Sequence, residues 1–431
     1  MARKMKDSGI EWIGEIPEGW EIRKIKNNFM IYAGATPKSE KAEYWDGGIP
    51  WITPADFKTT DKYVSYGRKS LTALGYDSCG TTLVPAGSII FSKRAPVGSV
   101  VIAKNTLCTN QGCLACIPND AVNSTYFYYC MSIFTEQFEL VSAGTTFKEI
   151  AASTFASFLL PCPPLSQQNE IVNFLDKESF RIDSMLSKTR SSIEEYKKLK
   201  QAAITQAVTK GVRGEREMKD SGVEWIGEIP KEWGQTKVKM VASFFNGDRT
   251  SRYPQPTDFV DNGIAFLTSR NIDGDEVDLS EVKYITESKY NSLSGAKIQI
   301  NDIVFCLRGS VGKCAINQTL SCGTVASSLA TIRPNRVHPK YLLYFLLSDI
   351  ASTQTAVFMN GTCAANLSAE NVANYYITLP ISAEQKEITD YLDAKCAEID
   401  KLIAKKEQLV KELESYKKSL IYEVVTGKRE V

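Results

Sequence analysis

The chain has 431 residues, 43% apolar and 23% charged, with 51 Lys and Arg against 50 Asp and Glu for a formal net charge of +1. That length exceeds what one core fills, so two domains plus connecting helices are expected; the near-neutral charge excludes indiscriminate attachment to nucleic acid while leaving room for a local basic groove. No apolar run approaches the ~20 residues of a membrane span, and the opening Met1-Ala-Arg-Lys-Met5 lacks the apolar stretch of a secretory signal, which places the chain in the cytoplasm. There the 11 cysteines read as free buried thiols rather than a disulfide framework.

The first element in chain order is the motif Met5–Pro17, MKDSGIEWIGEIP, which returns at Met218–Pro230 with 12 of 13 positions identical. A period of about half the chain marks a duplicated domain rather than a solenoid unit. Next come two Pro-containing polar loops in equivalent places, Thr36-Pro-Lys38-Ser39 and Arg249-Thr-Ser-Arg252-Tyr253. Gly87–Phe91 and Asp302–Phe305 are short apolar runs entered from turn residues, as strands are. They lead into Phe91-Ser-Lys93-Arg94-Ala-Pro-Val97-Gly98 and its counterpart Phe305-Cys-Leu-Arg308-Gly-Ser-Val311-Gly312. Leu114–Ile117 follows as a strand, and Tyr126–Met131 and Tyr341–Leu347 as short buried helices. Gly144-Thr145 answers Gly361-Thr362, and an offset of 217 carries Gln168-Asn-Glu170-Ile171 onto Gln385-Lys-Glu387-Ile388 and holds without a gap to Thr209 and Thr426.

Each half ends in an arm. Pro163-Pro164 and Pro380 stop what precedes, Ser166 and Ser382 serve as N-caps, and neither Gly nor Pro interrupts 167–210 or 383–426. Heptad a positions hold Leu175, Ile182, Thr189, Tyr196 and Ala203 in the first arm, with Met185 and Leu199 at d. The second arm has Leu392, Ile399, Leu413 and Leu420 at a, Leu402, Leu409 and Tyr416 at d, and Lys406 as the one poor a residue. Such a seam buries itself against another helix. Antiparallel pairing of the two arms is the simplest arrangement, giving roughly 31 residues and roughly 45 Å of spacer; an ordinary helical domain or pairing between chains is the alternative. The expected class is therefore α+β: two pseudo-two-fold-related globular modules at 1–160 and 215–379, separated by long helices at 161–214 and 380–431 that form an antiparallel coiled coil.

Catalytic motifs are missing. The single histidine, His338, precedes an apolar helix as a loop or cap residue, with no triad around it. Cys162-Pro-Pro-Leu165 lacks the flanking groups of an amino-methyltransferase loop, and Gly309-Ser-Val-Gly312-Lys313-Cys314 departs from a phosphate-binding loop at both ends. Asp273, Asp275 and Glu281-Val-Lys283 resemble a nuclease cluster only loosely and have no counterpart in the first half. Cys113 and Cys116 lie on a strand that would face them opposite ways, which disfavours zinc.

Ordered and duplicated as they are, EWIGEIP, the FxxRxxVG strand, the Gly-Thr turn, the Gln-x-Glu-Ile helix start and the long heptad arm resemble the specificity subunit of type I restriction-modification systems over essentially the whole chain. The resemblance implies two target recognition domains, each binding half of an asymmetric bipartite site in double-stranded DNA, with the coiled coil setting the spacing. It implies as partners two methyltransferase subunits carrying S-adenosylmethionine and restriction subunits using ATP and Mg. This chain would itself bind no cofactor or metal and have no catalytic role. An adaptor with duplicated protein-binding modules and dimerising helices is the competing reading.

Within that reading, duplicated positions serve shared duties and divergent ones carry sequence preference. Arg94, beside Lys93, and Arg308 are the duplicated candidates for phosphate or guanine contact, an internal salt bridge being the alternative. Thr36, Lys38, Ser39, Arg249, Arg252 and Tyr253 supply loop hydroxyls and cations, and Asn110, Gln111, Arg270 and Asn271 supply groups for base edges; solvated surface is the alternative for each. Thr145 and Lys148 form a basic turn in the first half where Thr362 begins an uncharged one, predicting unequal half-sites. The repeated motif cannot distinguish two half-sites, so it belongs to scaffold or to a partner surface.

Overall fold

The computed structural model describes residues 3–57, 61–94, 96–144, 148–359 and 366–431. The chain forms two compact units, Met1–Thr189 with Gln408–Val431, and Arg190–Glu407. The boundary between them cuts both arms, so each unit is a module plus half of each arm rather than a module alone.

In the first unit, apolar strand Ile89–Ser92 is buried throughout and takes antiparallel neighbours on both sides, Ile89 opposite Ile102 and Phe91 opposite Leu114. Full burial on both faces is what a continuous Ile-Ile-Phe run encodes. The resulting sheet runs Phe29–Ala33, Cys113–Pro118, Ile89–Ser92, Val100–Ala103, Tyr63–Val64. The second unit repeats its first four members as Ala242–Asn246, Leu329–Pro334, Ile303–Cys306, Cys314–Ile316. A smaller sheet accompanies each: Cys108–Thr109, Trp45–Ile52 and Lys69–Leu71 in the first unit, and Gly323–Val325, Ile264–Leu267, Lys283–Ile285 and Phe259–Val260 in the second. In both, one pair is parallel, Cys108 beside Trp51 and Thr324 beside Phe266.

The helices Ser124–Ile133 and Pro339–Leu347 pack their aromatic faces onto these sheets. Fully burying one such side chain stabilises by about 1.5–3 kcal/mol. His338 sits at the N-cap of the second helix, and burial lowers its pKa below the usual value. The Gln of the duplicated helix start explains itself here. Gln168 accepts from the Asn123 N–H and donates to the Pro163 carbonyl at 2.8 and 2.9 Å, and Gln385 does the same with His338 and Pro380 at 2.8 and 2.9 Å. Each glutamine thereby fixes the module helix to the start of its arm.

The arms are helices Leu165–Lys210 and Ser382–Val425. Both begin a residue or so earlier than expected, so Ser166 lies inside the helix; Pro164 precedes it, as a residue without an N–H can at no cost. Within the first unit Lys417 meets Asp183 at 2.6 Å, and within the second Lys200 meets Asp400 at 2.8 Å. A second contact in each unit, Arg429 over Phe174 at 5.9 Å and Lys406 over Tyr196 at 5.6 Å, shows residue number rising along one arm half as it falls along the other, so the halves run antiparallel. The exposed ion pairs contribute at most about 1 kcal/mol and define register more than strength.

The seven-residue period holds, but the second stripe of the seam is displaced by one residue. Leu175 and Ile182 are buried, yet Met185 and Leu199 are each 49% exposed while Leu186 and Ile193 fall to 5% and 7%. In the second arm Leu392, Ile399 and Leu420 are buried and Leu402 and Leu413 half-buried, whereas Leu409 and Tyr416 are exposed and Cys396 is buried instead. A stripe can continue three or four residues beyond each a position with the same period. Choosing three put the companions on the wrong side. Tyr196 is half-buried, and Lys406, the poor a residue, places its ammonium 5.6 Å from that ring, keeping its charge while covering the seam.

The ten described cysteines are free thiols, and eight are buried. Cys113 and Cys116 do face opposite ways, into separate apolar clusters. No helix among the described residues is long and apolar enough to cross a membrane.

Candidate nucleic-acid interface

In both units three segments converge at one end of the smaller sheet: the loop after the first strand of the main sheet, the tail of the short parallel strand, and a one-turn helix after the strand beside it. The last is set by the same capping box twice. Thr53 and Asp56 exchange bonds across Pro54–Asp56, and Thr268 and Asn271 across Ser269–Asn271. That equivalence relocates two candidates. Asn271 is 2% exposed, accepts from the Thr268 N–H at 2.8 Å and donates to the Asp278 carbonyl at 3.0 Å, so its amide is spent inside the fold and does not reach a base edge. Arg270, exposed on the same turn, stands where the first unit has Ala55.

The loop crosses the strand tail so closely that only glycine fits. A Cβ on Gly34 would lie 2.2 Å from the Asn110 carbonyl oxygen, and one on Gly247 would lie 2.1 Å from that of Ala326. Contact at that range displaces backbone. Beyond the glycines the two mouths differ. In the first, Thr36 donates to Gln111, with Lys38 and Ser39 exposed alongside. Asn110 is half-buried, its side-chain Oδ1 accepting from the Gly112 N–H at 3.0 Å, which makes it a turn former. In the second, Arg249 donates to the Ser327 carbonyl at 3.3 Å and Arg252 to that of Ser292 at 3.0 Å. Tyr253 turns inward, edge-on to Phe266 with ring centroids 5.8 Å apart, and works as packing.

Under the second mouth lies Asp248, 4% exposed. Burial works against its charge, but hydrogen bonds from Thr250 and Ser294 outweigh this and hold the carboxyl well below the ordinary range. The first unit has Ala35 there. One scaffold thus supports a nearly neutral mouth and a cationic one.

Arg94 and Arg308 occupy matching turns ahead of Gly98 and Gly312, whose φ values of 91° and 89° no other residue adopts easily. Arg94 donates through Nε to Glu149 at 2.9 Å, Lys93 reaches the other oxygen at 2.9 Å, and the two cations lower the Glu149 pKa. Arg308 donates through Nε to Asn366 at 3.1 Å. Both guanidiniums are braced and still exposed, so bracing and contact with an anion are compatible. Lys148 is half exposed, 3.9 Å from Glu139. Thr145 and Thr362 lie outside the described residues.

Sequence reading passed over a further duplicated pair of cations. Lys69 lies over Trp45 at 4.7 Å and Lys283 over Phe259 at 5.3 Å, each exposed on matching hairpins of the smaller sheets. The signal was present, since one offset of 214 joins both lysines and both rings. Lys283 is thereby removed from the loose nuclease cluster. Asp273 pairs with Lys313 at 3.7 Å and Asp275 with Lys200 at 3.7 Å, so its members answer to different neighbours. The assembled chemistry is that of polyanion contact and hydrogen-bond readout.

Known proteins resemble the chain along most of its length. The family described as the type I restriction modification DNA specificity domain matches residues 17–195 and 230–412. The MjaIX specificity subunit of Methanocaldococcus jannaschii is 28% identical over 85% of this chain and 84% of its own length. The EcoBI specificity subunit of Escherichia coli is 22% identical over 93% of this chain and 84% of its own. Among solved structures, a chain from a study of complex assembly and conformational transition of the type I R-M system matches with a TM-score of 0.75 at 15% identity, covering 96% of this chain and 99% of that one. The HsdS subunit of Thermoanaerobacter tengcongensis matches with a TM-score of 0.51 at 15% identity, over 96% and 98%.

Proposed function

The chain belongs to the type I restriction-modification DNA specificity family, and from that premise we propose that each unit reads one half of an asymmetric, interrupted site in double-stranded DNA. The observation that carries this reading is the pair of mouths built on one scaffold with different chemistry, Thr36 with Gln111 against Arg249 with Ser327. Shared parts, Arg94, Arg308 and the lysines Lys69 and Lys283, contact phosphate, while the divergent mouth residues contact base edges. The paired arms set the permitted gap between the halves. The chain works in the cytoplasm and contributes no catalytic group and no cofactor. Two methyltransferase subunits bring S-adenosylmethionine to an adenine extruded from the duplex, and restriction subunits bring ATP-driven cleavage with Mg.

The test is to purify the chain with its methyltransferase subunit, expose DNA to the assembly, and sequence the methylated adenines. Methylation confined to one interrupted motif is the expected result. An assembly that methylates the same sites without this chain would falsify the reading. An adaptor, the competing class, would show neither sequence-dependent affinity nor its decline with salt.

A further inference from the structure

At the same place in each unit a charged side chain reaches from the recognition module to the arm, and the sign of its charge is opposite in the two. Ile102 and Ile316 sit opposite Ile89 and Ile303 in the main sheets. Each donates its N–H to the segment that follows the capped turn at the mouth, at 2.8 Å to the Lys62 carbonyl and at 2.9 Å to that of Asp275. Lys62 and Asp275 are thereby equivalent positions. In the first unit the Lys62 ammonium meets Asp176 on the arm at 2.6 Å; in the second the Asp275 carboxylate meets Lys200 on the arm at 3.7 Å, and Lys200 also holds Asp400 at 2.8 Å.

Both residues are tied to the mouth. In the second unit Ile272 and Val277 bridge antiparallel and Gly274 turns the chain at a φ of 91°. Asn271 of the capping box holds Asp278 through two bonds, at 2.9 and 3.0 Å, so Arg270 and Asp275 stand at opposite ends of one short hairpin. In the first unit Asp56 of the capping box accepts from the Arg68 N–H at 3.0 Å, which closes the loop that carries Lys62. Apolar packing does not orient the hairpin tip, because a cavity of about 250 Å³ lined by Asp275, Glu276, Tyr344, Asp393 and Asp400 lies between it and the arm. On the arm side the parts are duplicated: Tyr129 donates to Asp176 at 2.6 Å and Tyr344 to Asp393 at 2.7 Å. Lys340 of the module helix meets Asp393 at 2.6 Å, whereas Thr125 stands in its place in the first unit and Asp176 takes Lys62 instead.

What the two units share is the contact, not the residue that makes it. A side chain that joins the loop of a mouth to the arm fixes the angle at which that mouth meets the duplex. One base pair rises only roughly 3.4 Å, so a swing of that size brings a mouth into register with the neighbouring pair. We propose that Lys62 and Asp275 are positioning residues, each holding its mouth at a fixed angle to the arm and so restricting the gap between half-sites to one length. The proposal rests on the specificity-subunit reading above and adds to arm length a second determinant of the gap.

The test uses the full chain purified with its methyltransferase subunit, on DNA that keeps both half-sites and lengthens or shortens the gap by a single base pair, with the methylated adenines sequenced. The wild-type chain methylates at one gap length. Lys62→Ala and Asp275→Ala each raise methylation at the altered gaps, relative to the natural one, by roughly twofold to fivefold, the factor that a partly exposed ion pair can supply; the two together raise it further. Asp275→Glu, which keeps the charge, and Lys62→Asp with Asp176→Lys, which reverses the pair, retain the wild-type gap. Thermal unfolding of the alanine variants stays near the wild-type temperature. Alanine variants that keep the wild-type gap preference overturn the proposal alone. So does a relaxed gap that comes with a lowered unfolding temperature or that the reversed pair does not cure. A wild-type assembly that methylates no interrupted motif overturns the underlying reading and the proposal with it.

Discussion

The two units solve one structural problem with different charges. Where the first arm starts, Trp20 donates to Gln167 at 2.7 Å and Arg3 donates to the same oxygen at 2.8 Å while lying over the indole. Where the second arm starts, Trp233 donates to Glu384 at 2.9 Å, and Arg216, over that indole, meets the carboxylate at 2.6 Å. One unit uses a neutral acceptor and the other a carboxylate, Glu384, that is 1% exposed and paired with a 14% exposed arginine. The geometry, an acceptor side chain held between indole and guanidinium, is what the fold requires; the charge is a local choice whose cost appears only when a partner is removed.

That difference gives the largest expected effect. Glu384→Ala removes the buried carboxylate shared by Arg216 and the Trp233 indole N–H, though Arg216 keeps Glu232 at 2.9 Å, and destabilises the second unit by about 3 kcal/mol, while Gln167→Ala costs the first unit about 1 kcal/mol. Denaturant unfolding of the two variants measures the gap, and equal losses would break the comparison.

Next is the crossing that both units share. Gly34→Ala and Gly247→Ala each force backbone apart and cost about 1–3 kcal/mol. Methylation assays on DNA randomised at one half-site should show each variant losing discrimination at its own half alone; loss at both halves would mean that the mouths are not independent.

Smaller still is Arg249→Ala, which removes a cation the first mouth lacks. Sequence-specific affinity should fall by about 1–3 kcal/mol at the second half-site and relax its preference there, with the first half-site unchanged in a binding titration.

The smallest effect is a pH dependence confined to the second unit. Asp248 is held below its ordinary pKa in the fold, so its contribution is complete above the unfolded value and is lost as pH falls through the folded one. Asp248→Asn should flatten the acid limb of the second unit's stability curve. The first unit, with Ala35 in that place, supplies the control.

Much of this architecture was legible because it is written twice. Matching Phe91–Gly98 to Phe305–Gly312 located the braced arginines, and the uninterrupted arms declared their length. The seam was harder, because a seven-residue period does not say whether Met185 or Leu186 faces the partner helix; neighbouring elements decide that. The mouths were half visible. Polar loops announced themselves, but nothing in an Arg-Asn pair tells that Asn271 closes a capping box while Arg270 faces solvent, and only pairing in space shows Tyr253 to be core. Lys69 and Lys283 escaped because a lone lysine carries no pattern until the ring beneath it is seen.

The last residues of the chain finish the first unit. Leu420, Ile421, Val424 and Val425 join the core of Trp20, Tyr126 and Phe127, and the Tyr126 hydroxyl donates to the Val425 carbonyl at 2.9 Å. The second unit is one continuous stretch, Arg190–Glu407. The order of completion during synthesis is therefore the reverse of the order of translation. The module made first must wait on the ribosome with its apolar floor uncovered, while the module made second closes ahead of it, and a ribosome that stops before residue 408 releases a chain whose second half is finished and whose first half is not.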